Sequence, residues 1–176
     1  MKTKCFKTVV LPLLLMVGCV SLSSCSSDDD LSAQVKLSDL LDIPFDQDEE
    51  ITDITDVTWK LYGYGDSATG LIRKSKSLEY NRMNIITFSK DGTLSGHSTS
   101  NELFGEYTIS GFNIDIFTFG GTKVGEVSYL DGYEFCESFR LCKKFEITNN
   151  WLKLYYNEGK NLLLFRAQKG QALLRQ

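Results

Sequence analysis

The sequence predicts a mainly β domain, an antiparallel small barrel or strongly curled sheet with one short amphipathic helix. Three observations predict it. From Trp59 onward, short runs alternate apolar and polar residues, the two-residue period of a half-buried strand. Glycine- and asparagine-containing turns punctuate those runs. One stretch alone, about 132–143, switches to helical spacing.

The elements follow in order. Trp59, Leu61 and Gly63 alternate with Lys60, Tyr62 and Tyr64 in the first strand. Asn84, Ile86 and Phe88 alternate with Ile85 and Thr87 in the next. Asp91-Gly92 joins that run to Thr93-Leu94-Ser95-Gly96. An Asp-Gly pair between extended runs signals a two-residue hairpin turn with positive φ at both central positions. Ser110-Gly111 repeats the device between Phe104–Ile109 and Phe112–Ile116, where Phe112, Ile114 and Ile116 are expected on one face and Asn113 and Asp115 on the other. Tyr133, Phe135, Phe139 and Cys142 recur near helical spacing with Glu134, Glu137, Arg140 and Lys143 between them, so one helix is expected over about 132–143. A three-strand meander closes the domain. Phe145-Glu146-Ile147 passes through Asn149-Asn150 into Trp151–Tyr156, and Asn157-Glu158-Gly159-Lys160 turns into Asn161–Phe165. Those turns use residues that tolerate left-handed backbone. About eight strands suffice for a small barrel, and closure removes vulnerable edges.

The N-terminus carries an address. Lys2, Lys4 and Lys7 precede an apolar run, Val9–Val20, and Leu22-Ser23-Ser24-Cys25 follows. A basic start, a short apolar core and small residues before a cut make a secretory signal. The run is about a dozen residues, against the roughly 20 that cross a bilayer, and Pro12 and Gly18 interrupt it. Cysteine after Leu-Ser-Ser resembles the lipobox of bacterial lipoproteins, in which that cysteine is lipidated and becomes the new N-terminus. Cys19 is a weaker rival, because Met16 stands where an aliphatic residue belongs. The organisation read from this is a lipoprotein signal peptide over 1–24, an acidic flexible tether over 25–55, the β-domain over 56–168 and a tail over 169–176. Within the tether, Val35, Leu37, Leu40, Leu41 and Ile43 form an apolar patch suited to one helical turn or to docking. Asp46-Gln47-Asp48-Glu49-Glu50 lacks the glycine and the spaced terminal glutamate of a calcium loop. Ser26-Ser27-Asp28-Asp29-Asp30 resembles the acidic export tag that sends some lipoproteins to the outer face of the outer membrane.

Composition limits the partners. Removing residues 1–24 takes three lysines and no acids, so the net charge moves from −4 to −7. No basic stripe remains for nucleic acid or for anionic lipid. Contact with a membrane is therefore assigned to acyl chains on Cys25. Of five cysteines, Cys5 and Cys19 leave with the signal, and Cys136 and Cys142 remain in the domain. Six residues apart on a helix, they would lie on nearly opposite faces, too far apart for a disulfide. They read as small apolar thiols. With His97 they make no zinc spacing, and neither metal nor other cofactor is expected.

With these runs in order, the chain is similar to the META domain family, which includes the HslJ-like bacterial proteins. The likeness spans Trp59 to Phe165. Trp59-Lys60-Leu61 resembles the opening strand, and Ile86–Gly96 resembles the hairpin with its Asp-Gly and Ser-Gly pairs. Ser100-Asn101 followed by Gly105-Glu106-Tyr107 resembles the next stretch, and Gly121–Glu126 stands where the family has a Thr-x-Met-Ala-Cys run. Phe145-Glu146-Ile147, Leu152–Tyr155 and Leu164-Phe165 resemble its ending. Where the family often has cysteines, this chain has Ser100 and Glu126. If relatives bridge there, packing alone is expected to hold that corner here. The resemblance implies an all-β fold with little helix and an envelope location. It implies no agreed reaction, and fold does not supply one.

Candidates for chemistry are few. His97 lies in Ser95-Gly96-His97-Ser98-Thr99-Ser100, but no glycine-flanked nucleophile elbow accompanies it; a loop histidine is expected. Gly120-Gly121-Thr122-Lys123 lacks the phosphate-loop spacing and reads as a glycine-lined strand bend. Trp59, Tyr62, Tyr64, Trp151, Tyr155 and Tyr156 fall on neighbouring strands. They are expected mainly in the core, the sharper alternative being an exposed patch for a glycan, a lipid tail or a partner. The expected function is a lipid-anchored, non-enzymatic envelope module for binding or envelope and stress support. The alternative is a small-barrel carrier of a hydrophobic or sugar ligand, which needs an interior cavity.

Overall fold

The computed structural model describes residues 34–42 and 50–168. Within them run β1 (Val35–Lys36), α1 (Leu37–Leu41), β2 (Thr58–Asp66), β3 (Leu71–Lys74), β4 (Ile85–Phe88), β5 (Thr93–His97), β6 (Glu102–Ser110), β7 (Asn113–Gly121), α2 (Gly132–Arg140), β8 (Lys144–Thr148), β9 (Trp151–Tyr156) and β10 (Asn161–Ala167). The sheet order is β1-β3-β2-β10-β9-β8-β7-β6-β5-β4, and β4 pairs back onto β2. All these strand pairs are antiparallel. Strands β2 and β4 to β10 therefore close a ring, while β3 and β1 extend from the far half of β2. The expected mainly antiparallel, curled architecture is what the chain adopts.

The ring is pinched at one place. Strands β7 and β8 pair only at Asn113 and Lys144, where Phe145 N–H donates to Phe112 O and Ile114 N–H to Lys143 O. Helix α2 immediately precedes β8. It stops at Arg140 rather than near 143 because Lys143 N–H is committed to Tyr155 O of the sheet. Leu141 and Cys142 tighten its end with bonds back to Ser138 O and Phe139 O. Phe135, Phe139 and Cys142 are buried as expected, but Tyr133 is 71% exposed.

Side chains fill the inside of the ring. Trp59, Leu61, Ile86, Phe88, Leu152, Leu154, Leu163 and Phe165 belong to one buried cluster with Phe135 and Phe139. The Phe139 ring lies 5.0 Å from Phe119 and 6.2 Å from Phe88, and Phe135 lies 6.2 Å from Phe165. Strand β2 departs from simple alternation. Leu164 faces Gly63 and Phe165 faces Leu61, so Tyr62 is an extra residue in a bulge. Tyr64 thereby turns into the core with Trp59 and Leu61, not outward with Tyr62 as alternation alone implied.

Two turns also differ from expectation. In the β4–β5 connection Ser89 N–H donates to Thr93 O, leaving Lys90, Asp91 and Gly92 in the loop, and of these only Gly92 has positive φ, at 86°. It is a three-residue loop with one left-handed position. The β6–β7 turn is Gly111-Phe112, because Ser110 pairs with Asn113. Phe112 is consequently 76% exposed, while Ile114 and Ile116 point inward. Asn149-Asn150, with φ of 49° and 63°, is the two-residue turn of the meander.

A second apolar cluster lies apart from that interior. Leu40, Ile72, Trp151, Leu162 and Leu164 form it, with Val35, Leu37, Leu41, Tyr62 and Tyr155 packed against it. Segment 35–41 thus both forms a helical turn and docks, and Ile43 lies outside the described residues. Val35 and Lys36 pair with Ile72 and Leu71, Leu37 N–H donates to Gly70 O, and Asn149 Nδ2 donates to Leu41 O. Residues 50–55 pack too: Ile54 is 2% exposed and accepts Trp59 Nε1–H at 2.8 Å, and Ile51 N–H donates to Asn150 Oδ1. Parts of the segment expected to be a flexible tether, 25–55, are therefore docked, because Leu40 and Ile54 find apolar partners that outweigh the surrounding acids. Residues 25–33 and 43–49 lie outside the described residues.

Candidate functional site

Cys25, the expected lipidation site, lies outside the described residues, as do Cys5 and Cys19. Within the domain, polar residues gather around the start of α2. Three loops meet there: 75–84 between β3 and β4, 98–101 between β5 and β6, and 122–131 between β7 and α2.

The first knot centres on Glu126. Its Oε1 accepts Ser98 Oγ–H at 2.5 Å and Asn101 Nδ2–H at 2.7 Å, and its Oε2 accepts Thr99 Oγ1–H. Burial pushes the carboxyl pKa up, but these bonds outweigh it and hold the value below the usual carboxylate range. Asn101 is saturated: Nδ2 also donates to Val124 O, and Oδ1 accepts Thr122 Oγ1–H and Val124 N–H. Gly132 lies so close that a Cβ there would strike both Thr99 Oγ1 and the Glu126 carboxylate. The corner expected to rest on packing alone is therefore tied by hydrogen bonds.

The second knot centres on Asp131, at the N-cap of α2. Its carboxylate accepts Lys76 N–H at 3.0 Å and Asn84 Nδ2–H at 2.9 Å. Asn84 is fully buried at φ 49° and also donates to Ser77 Oγ at 2.8 Å. Tyr64 O–H donates to Asp131 O, and burial raises the phenol's pKa. Beside this knot, Lys60 is 6% exposed, and its Nζ donates to Ser77 O at 2.9 Å and to Met83 O. Burial pushes its pKa down to about 8 against the opposing pull of Asp131. Within each knot the donors are spent on acceptors of neighbouring loops, which is how a polar network rigidifies loops.

The residues singled out from sequence separate. His97 Nδ1–H donates to Ser98 O at 2.7 Å, while Ser98 Oγ turns to Glu126, so no Ser–His pair forms. Gly120 and Gly121 end β7, and a Cβ at Gly121 would lie 2.6 Å from Glu102 O. Close backbone approach explains that glycine, as the strand-bend reading implied. Cys136 is half-buried and Cys142 buried, both free, and burial raises their thiol pKa values, to about 12 for Cys136. Among the described residues no group of three or more His, Cys, Asp or Glu is placed to hold a metal ion.

The aromatic reading divides. Trp59, Tyr64 and Trp151 are buried, and Tyr62, Tyr155 and Tyr156 are half-buried, with Tyr62 set edge-on to Trp151 at 5.2 Å. The exposed rings are others: Tyr80, Phe104, Phe112, Phe117, Tyr129 and Tyr133. Phe104 was legible, since it alternates with Leu103 and Gly105 on a strand whose other face is buried. Phe117 was not, because a bulge sets its direction.

Two solved structures share the fold. An NMR structure of a protein from Burkholderia xenovorans is 18% identical, with a TM-score of 0.54, over 73% of this chain and 100% of that one. A crystal structure of a DUF4847 family protein from Bacteroides vulgatus is 20% identical, with a TM-score of 0.50, over 66% of this chain and 96% of that one. At such identities the likeness is one of fold. No curated protein matches the chain. The family model for the META domain matches residues 52–169, more than half of the sequence, and the chain belongs to the META domain family.

Proposed function

We propose that this chain is a lipid-anchored lipoprotein of the cell envelope that displays a non-enzymatic META domain for binding or for envelope and stress support. The observation that carries the reading is Leu22-Ser23-Ser24-Cys25, set between a basic, apolar leader and Ser-Ser-Asp-Asp-Asp. Acyl chains on Cys25 would hold it to the membrane, since two or more chains anchor stably where one does not. The acidic run after the cysteine favours the outer membrane and surface exposure.

Display is favoured over carriage because phenylalanine, leucine and isoleucine side chains occupy the ring where a ligand would sit. The absence of turnover is argued from His97, Glu126 and Lys60, each engaged by neighbours that position loops rather than a reacting group. Fractionation tests the address. The intact chain is expected in the membrane pellet, released by detergent but not by salt, and Cys25→Ala in the soluble fraction. An intact chain that washes out in salt contradicts the anchor. Reproducible turnover of an envelope polymer, lost on a domain point substitution, contradicts the non-enzymatic part.

A further inference from the structure

The outer surface of β4 to β7 differs from the rest of the ring. From Asp91 to Thr122 the sequence holds no lysine or arginine. Strand register sets Thr58, Thr87, Ser95 and Phe104 side by side across four strands, with the Thr58 and Thr87 hydroxyls 3.2 Å apart. The adjacent row is Thr93, Glu106 and Thr118, in which Thr118 Oγ1–H donates to Glu106 Oε2 at 3.3 Å. Hydroxyls dominate this wall, and two large rings stand out of it: Phe104 is 55% exposed and Phe117 57%.

Both rings have a structural cause. Phe104 faces Gly120 across the strand pair, and a Cβ at Gly120 would be 3.5 Å from the ring edge. The bare glycine leaves that ring beside open backbone. Phe117 is the extra residue of the bulge between the Glu106 and Tyr107 pairs, and it turns out to water. Gly120 and Phe117 are three residues apart, about 10 Å at roughly 3.3 Å per residue. Glu106 and Thr118 lie between the two rings. Exposed rings on one sheet face, with hydroxyls and a carboxylate between them, complement a polyol whose C–H faces alternate with hydroxyl edges. The strands themselves supply no cation, and Lys143 at their edge is paired with Asp115, which disfavours an anionic polymer. Thr58, Thr87, Thr93, Ser95, Thr108 and Thr118 outnumber the three carboxylates of this wall, Glu102, Glu106 and Asp115, and Asp115 is already paired with Lys143 at 2.6 Å; that balance favours a neutral ligand over a cationic one.

We propose that the β4–β7 wall binds a neutral polysaccharide, with Phe104 and Phe117 as stacking platforms and Glu106 and Thr118 as hydrogen-bonding partners between them. This deepens the proposed function, resting on it for where the chain meets its polymer. The test is native affinity electrophoresis of the full chain in detergent, through gels containing dextran, yeast mannan, galactomannan or soluble starch, with heparin and polylysine gels in parallel. Retardation by a neutral polymer is expected. Phe104→Ala and Phe117→Ala should each weaken it by about tenfold, and Phe112→Ala, in the β6–β7 turn at the end of the hairpin beyond both rings, should leave it unchanged. Circular dichroism and thermal unfolding verify that the variants fold. No retardation in any neutral gel, retardation unaffected by the Phe104 and Phe117 substitutions, or retardation by polylysine alone overturns the proposal. Loss of membrane attachment would overturn the anchor and leave this result standing.

Discussion

Glu126 shows what a single side chain contributes. It joins the loop 98–101 to the segment before α2 through three side-chain donors. Glu126→Gln keeps the size but replaces one acceptor oxygen with a donor, which faces other donors. Unfolding in urea is expected to show a loss of about 2 kcal/mol, the scale of an unsatisfied part-buried group. Because the folded pKa of Glu126 lies below its ordinary value, its contribution is complete above that ordinary value and fades as pH falls through the folded one. The acid side of the stability curve should therefore flatten in the variant. Gly132→Ala should also destabilise, since its methyl would strike the same carboxylate. Lys60 runs the other way. Below about pH 8 it is charged whether folded or not; between about 8 and 10.5 only the unfolded chain keeps the proton. Stability of the wild type relative to Lys60→Met should rise with pH across that window in urea titrations, and a flat difference would contradict the buried ammonium. None of this was legible in the sequence. Glu126 read only as a missing cysteine, and its partners lie 25 to 28 positions away.

At the scale of elements, alternation marked the strands well where both neighbours were regular. It failed where a residue was inserted. Tyr62 and Phe117 each add one position to a strand, and side chains near them change face. A two-residue period cannot register that shift, because the partner strand decides it. The Asp91-Gly92 turn was located correctly, yet its loop type depended on Ser89 pairing with Thr93. The α1 strap was visible as an apolar pattern among acids, but what it covers comes from three strands, β3, β9 and β10, that are distant from it in sequence. Leu40 is 4% exposed against Ile72, Trp151, Leu162 and Leu164. Leu40→Ala should cost about 2 kcal/mol, at the low end for buried leucine because the site lies under a short segment. Thermal unfolding measures it, and an unchanged transition would show that the strap adds nothing to the domain.

For the molecule as a whole, a mainly antiparallel curled sheet was readable because its strands are joined mostly by short turns whose residues announce themselves. Closure was less readable. The pairing of β2 with β4, and the fill supplied by Phe135 and Phe139, join residues far apart in the chain. The address stands on different evidence, a short linear signal that needs no fold to be read. The most direct measurement is metabolic labelling with palmitate of cells producing the full chain and its Cys25→Ala variant. Label is expected on the processed wild-type polypeptide and absent from the variant. Equal label on both, or none on the wild type, would contradict the lipid anchor.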